Sequence, residues 1–382
     1  MSKKPAASAK TAAVSKKTPQ VKTKKPRAEA ATAVARPGVK KALEKISVAL
    51  NKLKIASYDG RVPGWMTSGD WVTDLMLSMG RGYPLGRIVH LYGRKHTGKT
   101  VRALAPAAQF LANGGLVYWF NQESGWDEGL AITMGVDPSH PDFNLYPPQH
   151  LEVCADAIVE IVKSFKGVDV PVMIVLDSLG GSCSESRDDK AVEDGRTVSE
   201  IARIARDFTN KLVPHLELTK CLVLITNHTW LDFTAYTRPG MPKPEKPSGG
   251  EAVPFYAAIE LKIARGQAEK TKEGKVRYRR MVTEVVKNKL GPTSEFKWIS
   301  PLYQRSPNNR VSGFDEGMCC LDFMVDIKQW SKARDGYKIY LSTGEVMTLT
   351  RKEFRNQYLD DSDFAKQVRD VVELAFKKHY GL

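Results

Sequence analysis

The 382-residue chain is short of several things. No apolar run approaches the roughly 18 residues needed to cross a bilayer, so a membrane-spanning protein is not expected. The first forty residues hold no apolar core segment of the kind a secretory signal requires. Cysteine is sparse: Cys154, Cys183, Cys221, Cys319 and Cys320 are odd in number and form no C-x-x-C pair or Cys/His cluster. That pattern excludes a disulfide framework and argues against a structural zinc. It fits reduced thiols in a cytosol-like compartment.

Aromatic residues are absent from the first forty-one positions, and so, with one exception, are acids. Twelve Lys/Arg stand there against Glu29 alone, so this tail carries most of the net charge of +15. Rich in Ala, Lys, Pro and Thr, residues 1–36 cannot bury a core and are expected to be disordered. Three readings fit: a solubilising tail, a polycation that condenses on DNA phosphates and releases counterions, or an organellar transit peptide. The last fits least well, because lysine outnumbers arginine and serine is sparse.

What is present is a soluble-type composition, 42% hydrophobic and 26% charged. After the tail, Leu43, Ile46, Leu50 and Leu53 recur at three- and four-residue steps, which predicts an amphipathic helix. With its linker it occupies residues 37–66. From Arg87 onward, short apolar runs alternate with helix-length segments. The runs are IVHLY, LVYWF (116–120), VMIVL (172–176), LVLIT (222–226) and AIELKI (258–263). This alternation predicts an α/β fold with a mainly parallel sheet covered on both faces. Ligands in such sheets sit at the carboxyl ends of the strands. From about residue 300 the alternation fades, which predicts a small C-terminal domain over 300–382.

The first strand runs into GRKHTGKT, the spelling of a phosphate-binding loop. Gly93, Arg94, Lys95, His96, Thr97, Gly98, Lys99 and Thr100 are therefore candidate nucleotide-binding residues. The glycines let the backbone turn its N–H groups onto phosphates, Lys99 meets the β- and γ-phosphates, and Thr100 ligates Mg²⁺. Glu123 follows the second strand, where a carboxylate can orient an attacking water; an exposed loop acid reads equally well from spacing alone. Asp177 ends the third strand and suits the second Mg²⁺ position. Asn227 and His228 end the fourth, within reach of the γ-phosphate or the water. Beyond them a long segment interleaves Trp230, Phe233 and Tyr236 with Arg238, Lys243 and Lys246, which suits unpaired bases and their backbone.

These stretches together resemble the RecA family of homologous-recombination ATPases, in its bacterial RecA and phage UvsX-type branch. The likeness runs from about Thr67 to Leu290. It is carried by the lead-in TSGDWVTDLMLSMGRGYPLGRIVHLYGRKHTGKT, by NQESGWDEGLAITMGVD, by PSGGEAVPFYAAIELKIAR and by EVVKNKLGP. The resemblance implies a RecA-like core over 67–299 and an N-terminal helix that docks on the next subunit of a filament. It makes Glu123 the catalytic glutamate and puts Asp127 with the nucleotide. It assigns 180–195 and the segment after Asn227 to two DNA-binding loops, the second closed by Gly249 and Gly250. Lys287 and Lys289 would reach the ATP of a neighbouring protomer.

The implied activity is that of a DNA-dependent ATPase. It would use ATP and Mg²⁺ to form a filament on single-stranded DNA and exchange strands with a homologous duplex. Single-strand-binding and loader proteins would be partners, in the cytoplasm at the nucleoid. Two rivals are a hexameric helicase on the same core and a mediator that binds ATP and DNA without strand exchange. The chain departs from the bacterial pattern in placing His228 where glutamine is usual, in an acidic first-loop region, and in lacking an acidic C-terminal tail. The NHT spelling and that missing tail favour a virus-encoded protein.

Overall fold

The computed structural model describes residues 37–52, 60–123, 125–185, 197–232, 235–238, 240–241, 243–270, 276–292, 297–303 and 313–381. The basic tail 1–36, Leu53, Phe233 and most of the expected first DNA loop (186–195 of 180–195) lie outside them. The chain divides into two units, Met1–Arg61 and Val62–Leu382. In the first, helix α1 spans Pro37–Lys52, with proline at the opening turn, where its missing N–H leaves no helical bond unmade. Ile46 and Leu50, two members of the expected apolar stripe, are exposed on it.

The second unit contains, in order, β1 (Trp65–Met66), α2 (Trp71–Ser78), β2 (Tyr83–Pro84), β3 (Arg87–Gly93), α3 (Lys99–Ala112), β4 (Leu116–Asn121), α4 (Glu128–Thr133), β5 (Phe143–Tyr146), α5 (Leu151–Ser164), β6 (Val172–Asp177), α6 (Thr197–Leu216), β7 (Cys221–Leu231), β8 (Glu245–Pro247), α7 (Ala252–Tyr256), β9 (Ile259–Lys270), β10 (Val276–Asn288), β11 (Lys297–Tyr303) and β12 (Gly313–Phe314). A C-terminal group follows: α8 (Glu316–Asp326), β13 (Ser331–Ala333), β14 (Gly336–Tyr340), β15 (Val346–Leu349), α9 (Arg351–Asp360) and α10 (Ser362–Tyr380). None of the described helices is long and apolar enough to cross a membrane.

One sheet runs in the order β12-β11-β10-β9-β3-β7-β6-β4-β5, with β8 paired to β7. The six strands from β9 to β5 are parallel, and β10, β11 and β12 extend the sheet antiparallel. The expected α/β sheet is therefore present. Its inner strands are near-continuous apolar runs because both faces are covered. Successive side chains alternate between those faces. Val89 and Leu91 join the core beneath α2 and α3, whereas Ile88 joins the core beneath α5 and α6. The first core also takes in Trp330, Phe354, Phe364 and Phe376 of the C-terminal group, and β11 runs across position 300.

Two local features differ from expectation. The fourth strand does not end at His228 but continues to Leu231, because β8 returns to pair with its second half, Thr229 opposite Pro247. The four-residue β5 has no apolar run to announce it, being a half-covered edge strand.

Strand register lines up the chemistry. Gly93 pairs with His228 across β3 and β7, and Asn121 pairs with Asp177 across β4 and β6. The phosphate loop, His228, Asp177 and the segment leading to Glu123 thus share the carboxyl edge of the sheet.

Candidate nucleotide and nucleic-acid site

Two positions in the loop admit only glycine. A Cβ on Gly93 would lie 2.1 Å from the Ile263 carbonyl oxygen. Gly98 has φ +99, a left-handed conformation, and its Cβ would meet Met281 Cε at 2.4 Å. Gly98 caps α3, so the helix opens with Lys99 and Thr100, and its free N–H groups face the loop. The Lys99 ammonium arches back over the loop and donates to the carbonyls of Gly93 (3.3 Å) and Arg94 (3.1 Å). Burial lowers its pKa, against the pull of Glu123 and Asp177.

The Thr100 hydroxyl donates to Asp177 Oδ2 at 2.9 Å, and Thr226 donates to the other carboxylate oxygen. Burial raises the Asp177 pKa despite both bonds. Two hard oxygen donors side by side at the phosphate end fit Mg²⁺. Among the described residues no cluster of three or more His, Cys, Asp or Glu forms a cage.

Glu123 is tied down from two sides. Ser178 Oγ donates to its Oε1 at 2.6 Å, and His228 Nε2 lies 2.5 Å from the same oxygen. Lys99 Nζ lies 3.3 Å from His228 Nδ1. An ammonium only donates, so Nδ1 accepts and Nε2 carries the proton that it gives to Glu123. The His228 bond, followed by that of Ser178 and the charge of Lys99, holds the Glu123 pKa down at about 2 against the opposing effect of burial.

Lys99, Thr100, Glu123 and His228 line a cleft of about 1020 Å³, and buried Asp177 lies behind Thr100. Its lining also includes apolar Val101, Leu130, Met281 and Leu302 and the cations Arg265, Arg279 and Arg280. The three arginines escape a sequence reading because they reach the loop only through the pairing of β9 with β10, where Arg265 stands opposite Met281. Their signal was a run of cations in a strand pattern, which reads equally as a solvated face.

Other expected residues lie elsewhere. Arg94 turns its side chain out of the cleft to Glu245, 2.6 Å away. Asp127 caps α4, accepting from Leu130 N at 2.9 Å. Asn227 does not reach the phosphate end as expected. It is fully buried, donating to Ser248 O at 2.8 Å, because the pleat that turns His228 toward the cleft turns its neighbour away. Lys287 and Lys289 donate to the Phe255 carbonyl oxygen at 2.8 and 3.2 Å. The bonds Lys289 N to Ala258 O and Ala258 N to Ile88 O, both 2.9 Å, set Lys289 level with the start of β3. Both lysines are thus at the end of the sheet opposite the loop.

On the aromatic segment Trp230 is 59% exposed and Tyr236 92% exposed, which leaves both rings open to a stacking partner. Trp230 Nε1 donates to Ser248 Oγ. Arg238 is exposed, and Lys243 donates to Ala235 O at 2.6 Å. Gly249 and Gly250 close the segment in left-handed conformations, and a Cβ on Gly249 would strike Leu179 at 2.8 Å.

Comparison with known proteins follows the same span. A family model described as the RecA N-terminal domain matches residues 38–305. The chain is 27% identical over 323 residues to Protein RecA of Thermotoga neapolitana, covering 82% of this chain and 84% of that protein. It is 26% identical over 314 residues to Protein RecA of Sulfurimonas denitrificans, covering 81% and 84%. It is 27% identical over 313 residues to Protein RecA of Leptospira biflexa, covering 81% and 75%.

Proposed function

The chain belongs to the RecA family, and from that membership we propose that it is a DNA-dependent ATPase that forms a filament on single-stranded DNA and pairs it with a homologous duplex. The observation that carries this reading is the continuity of β7. A single residue, Thr229, separates His228, bonded to Glu123 and Lys99, from exposed Trp230. One strand therefore joins the phosphate end of the cleft to the aromatic segment.

In this mechanism the backbone N–H groups of 95–99 bind the triphosphate, and Lys99 exchanges its carbonyl partners for β- and γ-phosphate oxygens. Thr100 and Asp177 would hold Mg²⁺, which neutralises charge developing on the phosphates. The γ-phosphate competes with Glu123 for the Nε2 proton of His228. Release of that bond frees Glu123 to orient the attacking water, and the turned imidazole carries the nucleotide state along β7. Lys287 and Lys289, remote from their own cleft, act on a neighbour's ATP, so turnover requires assembly. Homology is read by base pairing between strands, while the aromatic and basic side chains hold the single strand. The same reading takes the protein to act in the cytoplasm at the nucleoid, with single-strand-binding and loader proteins as partners.

The test is ATP-dependent joint-molecule formation between single-stranded DNA and a homologous duplex, beside a heterologous one. Product only with homology is the expected result. Strand-stimulated ATPase with directional unwinding and no joint molecules would replace this reading with the helicase.

A further inference from the structure

Glu245 opens β8, the strand by which the chain returns from the exposed aromatic segment. Its carboxylate gathers groups from three elements. Oε1 accepts from Arg94 Nε at 2.6 Å, Oε2 accepts from Thr229 Oγ1 at 3.3 Å, and Lys262 Nζ lies 3.9 Å from Oε2. Arg94 follows Gly93 in the phosphate loop, Thr229 adjoins His228, and Lys262 is on β9 opposite Tyr92. Glu245 is 17% exposed in this position, whereas Arg94 is 68% exposed. The guanidinium thus leaves the phosphate-facing side of its own loop to meet a carboxylate from the far side of the aromatic segment.

We propose that Glu245 is a positioning residue that couples the phosphate loop to the aromatic segment through its ion pair with Arg94, so that a nucleic-acid strand on that segment alters ATP turnover. This rests on the function proposed above. The mechanics follow from the connection. Residues 232–244 join the end of β7 to the start of β8, and Leu231 pairs with Glu245 at the base. A strand stacked on Trp230 and Tyr236 displaces this segment, and Glu245 is the first strand residue on its return side. Any shift there is felt by Arg94, and so by the backbone that cradles phosphate. An ion pair this exposed adds little to folding stability, so its removal separates coupling from structure.

The experiment is a double-mutant cycle on the full chain, using Glu245→Gln, Arg94→Gln and the double variant. The readout is the ratio of kcat with and without a single-stranded oligonucleotide, together with KM for ATP and Tm. Glu245→Gln is expected to keep its basal kcat, KM and Tm while the ratio falls about fivefold. Arg94→Gln is expected to lower the ratio similarly, and the double variant no further. A wild type stimulated by DNA whose Glu245→Gln variant is stimulated equally overturns this inference alone. So do additive losses in the double variant, or a Glu245→Gln loss matched by a fall in Tm. A wild type with no stimulation overturns the functional reading and this inference with it.

Discussion

His228 donates its Nε2–H to the Glu123 carboxylate across 2.5 Å, while Lys99 donates to Nδ1 of the same ring at 3.3 Å. One imidazole thus bridges the phosphate-binding cation and the carboxylate suited to activate water. The bridge uses both ring nitrogens, so neither neighbour can move without breaking a bond.

The bridge sets a pH dependence of stability. The Glu123 pKa is depressed from its usual 4.5 to about 2, first by His228. A depressed carboxylate contributes stability that is present above the unfolded pKa and lost as pH falls toward the folded one. Urea midpoints of wild type and Glu123→Gln should therefore differ at pH 7 and converge between about 4.5 and about 2. A gap of constant size across that window would contradict the bonding described.

Lys99→Ala should cut ATP turnover by at least about a hundredfold, the scale for losing a group aimed at developing charge. Lys287→Ala should be similarly inactive, although its amine is outside its own cleft. Mixed in one assembly, the two inactive variants should regain turnover. Some interfaces then pair an intact Lys99 with an intact Lys287 from the neighbour. Steady-state phosphate release from mixtures checks this, and a mixture as inactive as its components would rule out action between protomers.

Trp230→Ala should weaken single-strand binding by about 1–3 kcal/mol, the range for one base–aromatic stack. The loss should be equal at every salt concentration, since tryptophan releases no counterions. Arg238→Ala should instead flatten the salt dependence. Fluorescence anisotropy over a salt series separates the two. A changed slope in Trp230→Ala would count against a stacking role.

Arg102 forms a second buried assembly beneath the loop. It pairs with Asp70 at 2.9 Å, both side chains fully buried, and donates to Thr73, Thr283 and Ser300. Arg102→Ala leaves Asp70 as an uncompensated buried charge and should cost about 3–5 kcal/mol by urea unfolding. Combined replacement, Asp70→Leu with Arg102→Met, should recover most of that loss.

The sequence by itself determined the phosphate loop, the parallel strands and Asp177 at a strand end. All three are written in short-range order: fixed spacing within one turn, and apolar runs long enough for one strand. It also singled out Glu123 and His228, but as separate polar residues after two strands. Only the tertiary structure decided that they touch, because contact depends on the register of β4, β6 and β7 rather than on any local pattern. The same holds for Arg94, which its motif put with phosphate and which a carboxylate 151 positions away draws outward. Asn227 and His228 are adjacent in the chain and opposite in fate, since a continuing strand turns one into the core and the other into the cleft. Local sequence sets backbone conformation, but side-chain partners are chosen by strand pairing, which brings together residues with no correlation along the chain.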